Sequence, residues 1–165
     1  MHKPRIIIVL ILIAVMMIFT SCRNNDNDYD LNENNLDLNV SECADKLKEN
    51  IPFEDTITAI DDKMGITIYQ LNTEDVAEQK VYVSTGATAE QIAVFEATDD
   101  NAAKRIETAV LQRITEQIES YQDYLPEEVP KLSDPFLMVT GKYVILCVSD
   151  HNEDVEVVLD KYYGF

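Results

Sequence analysis

Histidine, cysteine and glycine are scarce in this sequence, and basic residues are heavily outnumbered. Each shortage removes a class of chemistry. One of the two histidines is His2, so a chain cut behind residue 21 keeps only His151. A two-histidine metal site within one such chain is excluded. The three cysteines, Cys22, Cys43 and Cys147, form no Cys-x-x-Cys pair, which excludes that redox motif. With four glycines in all, Ser84-Thr85-Gly86-Ala87-Thr88 lacks the pattern of a phosphate loop and reads as a connection between strands. Thirteen Lys and Arg face 31 Asp and Glu, a net charge of −18. Such a chain is repelled by nucleic acid and by anionic lipid headgroups, so DNA and RNA are excluded as partners. The charge favours cationic partners or divalent ions; its plainer role is solubility.

What is present at the start of the chain is a secretory layout. Met1-His2-Lys3-Pro4-Arg5 is basic, and Ile6 to Phe19 is an unbroken apolar run of 14 residues. A spanning helix needs about 20. Phe19-Thr20-Ser21-Cys22 resembles a lipobox, the signature of bacterial lipoprotein signal peptides, although Phe19 stands where that family usually has Leu. The resemblance implies a diacylglyceryl group on the Cys22 thiol, cleavage just before it, and attachment to the extracytoplasmic face of the cell membrane. Acyl chains anchor at about 0.8 kcal/mol per buried methylene. The alternative is an uncleaved signal anchor with an ordinary cysteine. Without residues 1–21, which hold Lys3 and Arg5 and no acid, 11 basic residues face 31 acids.

Residues 23–40 follow, and 12 of these 18 are Asn, Asp or Glu. Such a stretch buries too little apolar surface to offset its ordering entropy. It is expected to be a tether, with a reach on the order of 60 Å at about 3.4 Å per residue. Asp26-Asn27-Asp28-Tyr29-Asp30-Leu31-Asn32-Glu33 alternates acids as calcium loops do, but Leu31 occupies the position where such loops need glycine.

A single domain is expected over 41–165. Ser41 is placed to cap a short helix through Asn50, with Cys43, Ala44 and Leu47 on one face. Thr56–Ile60 is a short strand candidate, and Asp61–Leu71 is ambiguous because Gly65, Ile66, Thr67 and Ile68 weaken a helix. Val81–Thr85 and Ile92–Ala97 read as strands. Asp99 and Asp100 open a long helix whose stripe runs Ala103, Ile106, Val110, Ile114, Ile118 (or Gln117), Tyr121 and Leu125, and Pro126 stops it. Phe136–Thr140 and Tyr143–Ser149 flank Gly141-Lys142, a Gly-first hairpin loop of the type II′ kind; both strands are apolar on both faces. Asp150 or Asn152 caps a last helix that Gly164 closes. From residue 80 the order is strand-strand-helix-strand-strand-helix, which suggests a doubled unit. The fold class is α+β, an antiparallel sheet of about four strands with helices packed on one face. Cys147 lies in an apolar run, where a thiol behaves as a small core hydrophobe more than as half of a disulfide with Cys43.

Three segments carry a family resemblance: Ala87-Thr88-Ala89-Glu90-Gln91-Ile92-Ala93-Val94-Phe95; Tyr121-Gln122-Asp123-Tyr124-Leu125-Pro126-Glu127-Glu128; and Gly141-Lys142-Tyr143-Val144 with Ser149-Asp150. Over about residues 41 to 163 the chain resembles domain-of-unknown-function family 4358, lipoproteins found mainly in Clostridia-like bacteria. The resemblance implies export, lipidation and the mixed architecture, and no established activity or cofactor. It also suggests a genomic neighbourhood of membrane O-acyltransferases that acetylate envelope polysaccharides.

Among candidate sites, Ser149-Asp150-His151 invites a triad reading. Consecutive residues at a turn point apart, however, and a triad needs convergence from separated positions. The candidate interaction surface is Tyr121, Asp123, Tyr124, Glu127 and Glu128. There, amphipathic aromatics beside acids suit a protein or carbohydrate contact; the plainer reading is a helix end closing the core. The expected function is a non-catalytic accessory module whose partners are the membrane, through its anchor, and an envelope protein or polysaccharide-modifying enzyme. The alternatives are an enzyme or enzyme subunit in surface-polysaccharide modification, using Asp123, Glu127 or Glu128, and solute capture for a transporter.

Overall fold

The computed structural model describes residues 37–165. The expected leader, Cys22, the acidic repeat at 26–33 and most of the tether lie outside the described residues. Leu38 and Val40, expected in the tether, are buried. The Leu38 N–H donates to the Tyr143 hydroxyl at 3.2 Å. The packed part therefore begins before Ser41. The cap of the first helix, α1 (Val40–Asn50), is accordingly Asn39, whose side chain accepts from the Glu42 N–H at 2.8 Å.

β1 (Thr58–Ala59) is a two-residue strand. The ambiguous segment behind it forms α2 (Asp62–Ile68). Asp61 caps it onto the Met64 N–H at 2.8 Å, and Gly65 lies against the amide end of the Gln79 side chain, which a Cβ there would displace. β2 (Val76–Val83) and β3 (Gln91–Ala97) form an antiparallel pair. Asp99 then caps α3 (Asp100–Tyr124) onto the Ala102 N–H. Its buried stripe is Ala102, Ala103, Ile106, Val110 and Ile114. A 3₁₀ turn, Pro126–Glu128, leads into α4 (Val129–Ser133). β4 (Phe136–Thr140) and β5 (Tyr143–Val148) form the expected hairpin, with Gly141 at φ +52°. α5 (Asn152–Tyr163) ends at Gly164 in the left-handed region, φ +70°. Neither Asp150 nor Asn152 caps α5. Asn152 accepts from the Ser149 N–H at 3.0 Å and donates to the Asp134 carbonyl at 2.6 Å, while Asp150 pairs with Lys131.

The sheet is antiparallel, in the order β1-β2-β3-β5-β4. The α+β class holds, but helices cover both faces rather than one. Tyr82, Ile92, Val94, Ile145 and Cys147 pack with α1 and α5. Val81, Ala93, Phe95, Val144 and Leu146 pack with α3, Leu132 of α4 and Tyr69 behind α2. The reason lies in β3 and β5. Both are buried along nearly their whole length, and a central strand apolar on both sides needs a helical layer on each. α3 and α5 therefore sit on opposite faces, and the second strand-strand-helix unit does not repeat the first. Cys43 and Cys147 are free thiols buried in the same apolar layer. No helix among the described residues is long and apolar enough to cross a membrane.

Candidate functional site

Register puts the start of β3 beside the end of β5, since Gln91 faces Val148 across the ladder. The residues just outside this pairing, Thr88 to Glu90 and Ser149-Asp150, share one end of the sheet with Gln91. Polar side chains are buried there: Thr88, Glu90, Gln91, Glu128, Lys131 and Ser149. A buried polar group is costly unless hydrogen-bonded, so their partners define the site.

Glu90 is held by three donors. Its carboxylate accepts from the backbone N–H groups of Glu54 and Asp55, both at 2.9 Å, and from the Thr88 hydroxyl at 3.0 Å. Glu128 accepts from the Ala89 N–H at 2.8 Å and from Lys131 at 3.0 Å. The Lys131 ammonium also reaches Glu54 at 2.8 Å and Asp150 at 3.1 Å. Burial alone would lower the lysine pKa, but the hydrogen bonds it donates to Glu54, Glu128 and Asp150 outweigh this and hold the pKa above its ordinary value. The Tyr121 hydroxyl donates to the Thr88 carbonyl at 3.1 Å. Segments 87–95, 121–128 and 149–150 thus meet at one place.

Beside this cluster a groove of about 350 Å³ opens between α2, α3 and the β2–β3 connection. Ile60, Met64 and Ile68 form its apolar wall, and Gln91, Arg113, Gln117 and Tyr121 line it with polar groups. A relay crosses its floor. The Tyr69 hydroxyl donates to Gln91 Oε1 at 2.8 Å, and Gln91 Nε2 donates to Gln117 Oε1 at 2.8 Å. Tyr69 is buried edge-on to Phe95, and burial pushes its hydroxyl pKa up despite the nearby Arg113 charge. Arg113 lies 5.0 Å over the Tyr69 ring and donates from Nη1 to the Ile68 carbonyl at 3.1 Å. Asp55 fixes the rim, accepting from the Thr85 N–H at 2.8 Å and its hydroxyl at 2.6 Å, bonds that hold its carboxyl below the ordinary range.

The five residues of the expected surface divide. Asp123 and Glu127 are exposed, and Tyr124 is 72% exposed. Tyr121 is half-buried against Thr88. Glu128 is no surface acid: the turn at Pro126 carries it under the sheet end, where Lys131 and the Ala89 N–H take its charge. Ser149-Asp150-His151 is a turn. The Ser149 hydroxyl accepts from the His151 N–H at 3.0 Å, Asp150 pairs with Lys131, and the half-exposed His151 ring lies 3.8 Å from Asp154. Among the described residues no group of three or more His, Cys, Asp or Glu is placed to hold a metal ion. Lys131, Tyr69 and Arg113 are not marked by any sequence motif; Glu90 and Gln91 stand only within the family-resemblance segment, and Gln117 only on the α3 stripe, none of them as site residues. For Lys131 the available signal was a lone base among the acids Asp123, Glu127, Glu128 and Asp134.

These features define a small α+β domain, its sheet covered on both faces, with a fixed ionic cluster and a groove at one end. The family model for the domain of unknown function DUF4358 matches residues 49–149, and the chain belongs to that family. No curated protein matches the chain, and no solved structure does. The matched span holds every groove residue named above and all of the ionic cluster except Asp150.

Proposed function

We propose that this protein is a lipid-anchored module on the outer face of a bacterial membrane, which binds an envelope partner at the groove end of its sheet without turning it over. The leader layout and Cys22 support the address. The observation that carries the binding reading is the state of the carboxylates. Glu54, Glu90, Glu128 and Asp150 are each held by fixed donors, whereas acid–base catalysis needs a group free to exchange its proton with substrate. The groove beside them offers amides, a phenol and a guanidinium, groups that orient a ligand. The test is crosslinking from intact cells with the lipidated chain, followed by recovery of its neighbours. One stoichiometric membrane or wall component supports the role. Turnover of an envelope substrate by the purified chain sinks it.

An enzymatic role in surface-polysaccharide modification, O-acetylation for example, has one observation in its favour. Glu54, Glu90, Asp150 and His151 line a recess of about 130 Å³. That reading requires measurable turnover that disappears in Glu90→Gln.

A further inference from the structure

We propose that Arg113 makes the groove a site for a small ligand bearing a carboxylate. The inference rests on the groove being the working surface and adds the class of molecule it takes.

Guanidinium is a planar fork of five donors that matches a carboxylate with two parallel bonds. This protein shows that match once. Arg105 presents Nε and Nη2 to Asp75, at 2.9 and 2.6 Å. Arg113 is arranged differently. Its Nη1 is used on the Ile68 carbonyl, its Nε is buried with no hydrogen-bond partner, and no carboxylate among the described residues pairs with it. In a chain of net charge −18, Arg113 and Lys80 are the half-buried cations among the described residues that no carboxylate pairs with, and of the two Arg113 lines the groove. The nearby acids are engaged elsewhere. Glu90, which also lines the groove, is held by three donors, and Glu116 accepts from Gln70 and Gln112.

The Nε that Arg105 turns to Asp75 is thus without a partner in Arg113, on a side chain that lines the groove. A carboxylate entering there completes the fork once the guanidinium turns its buried Nε to the groove. The remaining acids of the domain act through solvent and are screened beyond about 8–10 Å at physiological salt, so the local cation decides. The groove is at the small end of ligand sites, which run roughly 300–1,000 Å³. That is the scale of one sugar ring or a short peptide end. Gln91 and Gln117 supply the amides that a hydroxylated or amide-bearing scaffold would meet, and Ile60, Met64 and Ile68 supply an apolar wall.

The experiment uses the full chain in detergent micelles and follows the Arg113 Nε–H resonance and binding heat together. Two matched pairs of probes are titrated: D-glucuronate against D-glucose, and N-acetylalanine against its amide. The expected result is saturable binding of at least one carboxylate, with a shift of the Nε–H resonance. Its neutral twin should bind about tenfold weaker or less, as the loss of a charged hydrogen bond requires. Whichever pair responds tells an acidic sugar from a peptide end. Arg113→Gln should abolish the response. Arg113→Lys, which keeps the charge without the fork, should weaken it about tenfold. Equal binding of carboxylate and neutral twin overturns the proposal, as does no binding by either pair or unchanged binding in Arg113→Gln. Should Arg113→Gln fail to fold, Arg113→Lys and the neutral twins still decide. The crosslinking result is read separately: a partner captured equally by wild type and Arg113→Gln leaves the accessory role standing without this ligand.

Discussion

The Lys131 ammonium lies 3.0 Å from the Glu128 carboxylate, with the lysine side chain 4% and the glutamate side chain 6% exposed. A pair this deep is expensive to desolvate, and removing one partner leaves the other as an uncompensated buried charge. Lys131→Met is expected to destabilise the domain by about 3 kcal/mol, within the range for breaking buried pairs. The double variant Lys131→Met with Glu128→Gln should recover part of that loss, because the stranded charge is gone. Urea denaturation of the four chains of this cycle measures it. Losses that simply add would show that the pair is not coupled.

Glu90 organises a loop rather than a reaction in the reading proposed above. Its carboxylate receives the N–H groups of Glu54 and Asp55. Glu90→Gln turns an NH₂ group toward one of those donors and leaves a part-buried N–H without its acceptor, at a cost of about 1 kcal/mol. Amide hydrogen exchange should speed up at Glu54 and Asp55 while the central strand β3 stays protected. Unchanged exchange at both amides would sink this account of Glu90.

Local elements were legible where the chain announces them locally. α3 carries a 3.6-residue stripe from Ala103 to Ile114 between Asp99 and Pro126, and the β4–β5 turn carries a glycine where φ must be positive. α2 was not legible, because Gly65 and three β-branched or bulky neighbours argue against a helix; the Asp61 cap and the packing of Gly65 on Gln79 decide for it. An apolar stripe shows that a helix is buried but not on which face of the sheet. For that reason the two-sided covering escaped, although the two-sided apolarity of β5 pointed to it. The site was legible only in part. Segment 121–128 stood out, yet Glu128 works inward. Lys131 meets Glu54 from 77 positions away, a relation that no local pattern encodes.

Acid should release one long-range tie only after most other carboxylates have titrated. Arg105 grips Asp75 and holds its carboxyl below the ordinary range, chiefly through the hydrogen bonds and then through the charge. A carboxylate with a depressed folded pKa stabilises above its unfolded value, near 3.9. That contribution is lost as pH falls through the folded pKa. Arg105→Gln should raise the Asp75 pKa toward the ordinary value, read by carboxyl-carbon NMR titration. It should also reduce the loss of stability below pH 4. An Asp75 titration identical in wild type and variant would refute the pairing.

Alkali acts through the two buried thiols. Burial pushes Cys43 and Cys147 up to about 12, whereas an unfolded cysteine titrates near 8.5. Above that pH the unfolded chain releases thiol protons that the folded chain keeps. By linkage the stability contribution is complete below about 8.5 and is lost as pH rises toward 12. Each thiol then removes up to about 1.4 kcal/mol per pH unit. Between pH 9 and 10 the slope should come mainly from these two groups, because Lys131, Tyr69 and Tyr163 have unfolded values nearer 10. Cys147→Val suits the all-apolar strand β5 and should flatten the slope by about one proton equivalent, and adding Cys43→Ala by about a second. Urea midpoints at half-unit pH steps measure it. A slope unchanged in the double variant would mean that the thiols ionise alike in both states, and that neither is as enclosed as the packing of α1 and α5 on the sheet makes it.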